Sequence, residues 1–285
     1  ENRFRLGNMY MFQYDPKHKA TLPYYDSFPL IFPINRAKGG FLGINMHYLP
    51  PPLRAKLMDA LYETTNNKYY NETTVIRDGL VMYLDAGISN SYPGSGSTWF
   101  DLSGNGHNGT LTNGAGYSTQ FGGVITFDGT NDYFDIPSSS VISGTQDFTI
   151  ESAYHMTGQG GGVIFGNYGP AYTTNSIWFS GQYGFYLNGS VYKPGFPIQP
   201  GKYHMVATRT NGFVRLYFNG VLVNSGTLNA SVASNINYRV GIDVNSTGAE
   251  PFAGTIYNLR VYNRAISETE VLNNYNMYKG RLGLS

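Results

Sequence analysis

The 285-residue sequence contains no cysteine, which excludes disulfide frameworks, thiolate nucleophiles and Cys-based zinc sites. Charge is scarce as well. Asp, Glu, Lys and Arg make up 13% of the chain and nearly cancel, to a net +1, which is far from the basic footprint of a nucleic-acid binder. No run approaches the ~20 consecutive apolar residues of a membrane-spanning helix, and Glu1 to Leu6 carry no signal-peptide pattern, so no membrane role is expected. What is abundant is glycine (36) and tyrosine (25), within an aromatic content of 15%. So much apolar and aromatic surface can outweigh the entropy of ordering, which excludes a disordered chain. A helical bundle would need more Ala, Leu, Glu and Lys. Many short strands joined by tight turns fit better.

The chain divides by character. Residues 1–77 hold a slight cationic excess and most of the Pro-aromatic punctuation, as in Leu22-Pro23-Tyr24, Phe28-Pro29-Leu30 and Phe32-Pro33-Ile34. Met9 to Tyr14 and Gly40 to Leu49 read as strands. The prolines between them remove donors, so that stretch should run extended with few ladder bonds. Leu53, Leu57 and Leu61 recur at spacing four after Pro50 to Pro52, predicting a short amphipathic helix over residues 53–62. So small a unit should dock on the second domain or on another chain. A polar stretch over residues 62–71 reads as a linker. From residue 78 to 285 the text alternates, as in Leu80-Val81-Met82-Tyr83-Leu84 and Phe148-Thr149-Ile150-Glu151. Six Asn-Gly pairs, at Asn105, Asn108, Asn113, Asn188, Asn211 and Asn219, mark positions suited to positive φ, and the last is a strong hairpin signal. Ser267-Glu268-Thr269-Glu270 predicts a capped helix start.

Several ordered blocks carry a resemblance. Gly79 to Ala86, Trp99 to Leu111, Phe127 to Tyr133, Phe148 to Glu151, Leu216 to Val221 and Gly254 to Ser267 together resemble the concanavalin A-like, laminin-G-like family over residues ~79–275. The resemblance implies a mainly β fold, a jelly-roll β-sandwich, with residues 1–77 as a small extended or α+β appendage. Similar modules occur in structural proteins of tailed phages, notably those of cyanobacteria. The block Tyr10 to Lys17, with Leu22 to Asp26 and Gly43 to Leu49, resembles part of a T4-like phage virion protein of the DNA end protector type. This fold hosts lectins, hydrolases, adhesion modules and spacers, so function must come from the site.

The hydrolases of this fold carry Glu-x-Asp-x-x-Glu, placing two acids at catalytic separation; this chain has no such string, and Glu151 reads as an outward or edge residue. No nucleophile elbow or Walker-type motif accompanies the five histidines, and His204 reads as packing. Asp101, Ser103 and Asn105, and Asp128, Asn131 and Asp132, supply hard oxygen donors on Gly-rich loops, which suits calcium; the same residues suit Asx turns that cap backbone amides. Tyr168, Tyr172, Trp178, Tyr183 and Tyr192 are candidates for stacking on a sugar or for a subunit contact. Lys17, His18, Lys19, Arg36 and Lys38 could touch phosphates, but scattered cations usually form a solvated surface, and no base-reading element accompanies them, so DNA is not an expected partner. The sequons at Asn71, Asn108, Asn188, Asn229 and Asn245 would matter only in a eukaryotic secretory route.

The expectation is a non-enzymatic phage virion structural protein. Residues 1–77 would anchor it to the particle, through other virion proteins or self-association, and the jelly roll would decorate, adhere or bind host-surface glycan. The alternatives are a free carbohydrate-binding or adhesion protein and a glycan hydrolase.

Overall fold

In a computed structural model, the described residues are 10–11, 30–37, 40–48, 50–53, 75–137, 141–158, 162–167, 177–181, 184–233, 237–243 and 250–283. The chain forms two compact units, residues 1–66 and 67–285. The second begins ahead of residue 78 because Val75 is buried in a cluster with Tyr83 and Ile88, while Ile76 packs against the cluster of Val206, Tyr217, Tyr262, Ile266 and Val271.

The first unit holds a sheet of three antiparallel strands, β1 (Tyr10–Met11), β2 (Leu30–Ala37) and β3 (Gly40–Asn45), followed by a 3-10 turn at Met46–Tyr48. Where the sequence suggested few ladder bonds, residues 31–37 pair with β3 along most of their length. Pro33 pairs with Gly43 at a register shift between Pro33 and Asn35, the kind of place where a proline is tolerated in a sheet. Residues 51–53 are helical; the rest of the expected helix, to residue 62, lies outside the described residues. So do Lys17, His18, Lys19 and Lys38, while Arg36 is described in its backbone alone.

The second unit is a two-sheet sandwich. Its first strands are β4 (Leu80–Asp85), β5 (Thr98–Trp99), β6 (Gly109–Thr112), β7 (Gly116–Ser118), β8 (Val124–Asp128), β9 (Tyr133–Ile136), β10 (Phe148–Met156) and β11 (Val163–Gly166). There follow β12 (Ile177–Ser180), β13 (Gly184–Leu187), β14 (Ser190–Tyr192), β15 (Gly201–Thr210), β16 (Phe213–Phe218), β17 (Val221–Thr227), β18 (Tyr238–Val240) and β19 (Ala253–Tyr262). One sheet runs β17-β16-β15-β10-β19-β8-β7, with β4 also on β19; the other runs β14-β13-β12-β11-β18-β9-β6-β5. Of the six Asn-Gly pairs, Asn188, Asn211 and Asn219 take positive φ between paired antiparallel strands, and Asn113 takes it where the chain passes from one sheet to the other; Asn105 and Asn108 do not. Alternate residues of both sheets fill the core between them. Phe165 stacks on Tyr238 at 4.7 Å between ring centres, and Trp99 meets Phe134 at 5.3 Å.

The C-terminal helix (Glu268–Leu282) is capped as predicted: the Ser267 side chain accepts from the Glu270 amide while the Glu270 side chain accepts from the Ser267 amide. It runs 15 residues, past the expected Tyr275, and packs against β10 and β15 on the outer face of the first sheet. The strands beneath it are therefore buried on both faces, which is why Thr149 and Glu151 of β10 are buried although its text alternates.

A carboxylate pair stands on the loop after β18. The Glu250 amide donates to Asp243 Oδ1 at 3.1 Å, and burial, with the Asp243 charge second, pushes the Glu250 carboxyl up to about 7. A folded-state value above the unfolded one means that the stabilising contribution is full below the unfolded value of 4.5 and fades as pH rises through about 7. Glu250→Gln is expected to flatten the stability profile across that window in chemical denaturation; an unchanged slope would refute it.

Candidate functional site

The two outer faces of the sandwich differ. On the first sheet, the helix closes over Glu151, which is not outward or at an edge but has no exposed surface. Its Oε1 accepts from His204 Nε2 at 3.1 Å and from Arg260 Nη1 at 3.3 Å, and its Oε2 accepts from Asn274 of the helix at 2.7 Å. Arg260 also donates to the Tyr278 hydroxyl, which donates to Asp85 Oδ2 at 3.1 Å; Asp85 Oδ1 accepts from Arg281 Nη1 at 2.8 Å. His204 is thus more than packing. Glu151 is a structural ion in a network that fastens helix to sheet, sealed from any substrate.

Among the described residues no such helix lies on the second sheet, and its cross-strand pairing builds one row across the outer face. Val191 of β14 pairs with Tyr186 of β13, Tyr186 with Trp178 of β12, and Trp178 with Gly166 of β11. Gly166 pairs with Arg239 of β18, and Arg239 with Asp135 of β9. Period-two alternation puts these residues outside because their neighbours Ile177, Phe179, Phe185, Leu187, Tyr238 and Val240 are all in the core. Trp178 and Tyr186 meet edge to face at 5.7 Å, both partly exposed. The indole closes over Gly166: a Cβ there would stand 3.4 Å from Trp178 Cδ1 and 2.9 Å from the Ile177 carbonyl. Farther along, Arg239 Nε donates to Asp135 Oδ1 at 2.9 Å, and the guanidinium lies 4.1 Å over the Tyr133 ring. The row thus joins aromatic surface, a side-chain-free position and a paired, partly exposed donor and acceptor.

Of the expected contact residues that are described, Trp178 is placed here. Tyr192 faces the core, 9% exposed, because on β14 it sits on the inner side and pairs with Phe185; its hydroxyl donates to the Thr227 carbonyl at 3.2 Å. Tyr168, Tyr172 and Tyr183 lie outside the described residues. Tyr186, Gly166, Arg239 and Asp135 were missed, although the alternation in Gly184-Phe185-Tyr186-Leu187 already puts Tyr186 opposite its neighbours.

The oxygen-rich loops are wired into the backbone. Asp101 Oδ1 accepts from the amides of Tyr83 (2.8 Å) and Ser103 (2.9 Å), and Oδ2 from Ser103 Oγ (2.7 Å) and the His107 amide (3.0 Å). Asn105 Nδ2 donates to the Val81 carbonyl at 2.8 Å. Asp128 Oδ1 accepts from the Thr130 amide at 2.7 Å and Asp132 Oδ2 from the Asp128 amide at 3.0 Å, with burial, opposed by that bond, and the Asp128 charge raising the Asp132 pKa. Asp101 with Ser103 and Asp128 with Thr130 form the Asx turns that the sequence also allowed. Among the described residues, no group of three or more His, Asp or Glu is arranged to hold a metal ion, and no helix is long and apolar enough to cross a membrane.

No curated protein matches the sequence. Residues 2–97 match the model of the phage T4 terminal DNA protecting protein. Among solved structures, the sandwich is similar to domain 4 of AbnA, a GH43 extracellular arabinanase from Geobacillus stearothermophilus, in complex with arabinotriose. That likeness has 22% identity and a TM-score of 0.50, over 68% of this chain and 97% of the domain. It is also similar to the binding domain of Paraclostridial Mosquitocidal Protein 1, at 18% identity and a TM-score of 0.52, over 73% of this chain and 56% of that one. Trypanosoma rangeli sialidase in complex with 2,3-difluoro-KDN gives 16% identity and a TM-score of 0.54, over 92% of this chain and 45% of that one. At these identities the likeness is one of fold. Residues 128–272 match the model of the concanavalin A-like lectin/glucanases superfamily in its laminin G form, and with half of its length so matched the chain belongs to that superfamily.

Proposed function

We propose that this chain is a non-enzymatic glycan-binding module of a phage particle, in which the outer face of the second sheet holds the saccharide and the N-terminal unit makes the attachment to other virion proteins. The observation that carries the reading is the Trp178–Tyr186 pair beside Gly166 and the Arg239–Asp135 pair. Sugars are held by an aromatic face against their C–H surface and by planar donors and acceptors against their hydroxyls, and this row offers both. The arabinotriose complex of the arabinanase domain supports it, as a similar sandwich with a sugar bound. The match of residues 2–97 to a phage protein supports the particle context. A non-catalytic role is supported by Glu151, whose carboxylate is committed to Arg260, His204 and Asn274 beneath the helix.

The test uses the protein's two tryptophans, of which Trp99 is fully buried in the core. Binding to a glycan array and to bacterial surface polysaccharide is expected, with a change in tryptophan emission that Trp178→Phe abolishes. Trp178→Ala should weaken binding about ten- to a hundredfold, equal to about 1.4–2.8 kcal/mol, with an unchanged circular dichroism spectrum. Binding that survives Trp178→Ala and Tyr186→Ala in a folded protein would remove the face from the site.

A further inference from the structure

The row on the second sheet also says what kind of saccharide fits, an inference that rests on the glycan-binding reading above. We infer that the face takes a neutral, hydroxyl-rich chain laid lengthwise across the strands, and not an anionic sugar or a single terminal residue.

Direction comes from the pairing. Tyr186, Trp178, Gly166, Arg239 and Asp135 are consecutive cross-strand partners on five adjacent strands, so the row runs perpendicular to the strand axes. With strands about 4.8 Å apart, its ends stand about 19 Å from each other, room for about four sugar residues at about 5 Å each. At the middle of the row Gly166 is buried beneath the indole, so that the ring lies flat on the sheet beside the guanidinium. A substituent there would meet the Ile177 carbonyl and the indole, so the glycine is what lets the ring lie where it does.

Neutrality comes from the far end. Arg239 is the cation of the row, and it is already compensated: Nε is bonded to Asp135, and its flat face is occupied by the Tyr133 ring. An incoming carboxylate would meet the Asp135 charge beside the guanidinium and gain little. A hydroxyl, which both donates and accepts, can bridge the remaining guanidinium N–H groups and the carboxylate together. Thr110, which pairs with Asp135 on its other side and is exposed, extends the hydroxyl-compatible end.

The experiment titrates the full chain, by tryptophan emission and calorimetry, with linear neutral glucan, mannan, galactan and arabinan oligosaccharides from disaccharide to hexasaccharide, and with oligogalacturonides and oligosialic acid of the same lengths. At least one neutral series should bind, its affinity rising at least tenfold from disaccharide to tetrasaccharide and then levelling, and changing less than about twofold between about 50 and 500 mM NaCl. Asp135→Asn should weaken the neutral chain about fivefold or more and strengthen oligogalacturonide binding at low salt, because Arg239 loses its counter-charge. Gly166→Ser should lower tetrasaccharide affinity more than disaccharide affinity. Preference for the anionic series in the native protein, or affinity already complete at the disaccharide, overturns the inference while leaving a glycan module if Trp178→Ala still abolishes binding. Absence of binding by every series, neutral and anionic, overturns the glycan reading itself.

Discussion

Glu151→Leu is expected to cost about 3–5 kcal/mol of folding stability, measured by urea denaturation, because it strands a buried Arg260 rather than merely deleting a contact. The glutamate stands at zero exposure with three side chains on its two oxygens, one of them from the C-terminal helix. Without it the guanidinium keeps the Tyr278 hydroxyl but loses its nearest charge, and Asn274 and His204 each lose the acceptor they share. Glu151→Gln, which keeps an acceptor but not the charge, should cost less. The double replacement Glu151→Leu with Arg260→Met should recover much of the loss, since no lone buried charge is then left. A double variant as unstable as the sum of its singles would mean that packing, not charge, holds the helix down. Acid tests the same network. Burial alone would push the Glu151 carboxyl up, but the Arg260 charge and the His204 and Asn274 bonds outweigh it and hold it below its ordinary value of 4.5. A depressed value contributes stability that is complete above the unfolded value near 4.5 and lost as pH falls through the lower folded one, so Glu151→Gln should blunt acid unfolding below that pH and leave the neutral range flat.

How much of this was legible before the structure depends on whether the signal was local. The Asn-Gly turns, the Ser267 capping box and the alternating strands are short-range chemistry and stood in the text. The burial of Glu151 did not, because it depends on a helix more than a hundred residues later in the chain closing over β10. Tyr192 went wrong for a related reason. A tyrosine in a Gly-rich stretch has no sign of its own, and only the register of β13 against β14 decides that its neighbour Val191 takes the outside. Trp178 was visible as an aromatic, but its partners Gly166, Arg239 and Asp135 come from strands distant in sequence. The calcium donors were legible as oxygen-rich loops; what the sequence left open was that Asp101 spends both oxygens on amides and a hydroxyl.

Gly254→Ala is the second large effect, expected to destabilise by about 3–5 kcal/mol and to lower soluble yield sharply. Gly254 is the second residue of β19 and stands at φ +146, and a Cβ built there runs into the backbone carbonyl oxygen of His155. A side-chain tip could turn away, but that carbonyl belongs to β10, whose Met156 is the direct partner of Gly254, while Phe127 of β8 holds the other side. Gly104→Ala is the control, because at φ +91 it has nothing within 4 Å of the added methyl and should cost only the strain of the conformation, about 1 kcal/mol. The close approach at Gly254 also bears on the ion network. β10 and β19 pair in one register up to Ala153 and Asn258 and in another from Tyr154 and Ile256 onward, and it is the first register that sets Arg260 opposite Glu151. If the added methyl forces the strands apart or by one residue along, Arg260 leaves its partner and its side chain turns toward the apolar interior. The cost of Gly254→Ala should therefore be smaller in a Glu151→Leu with Arg260→Met background, where no charge remains to be misplaced, and full additivity in a double-mutant cycle would show that register and network are independent.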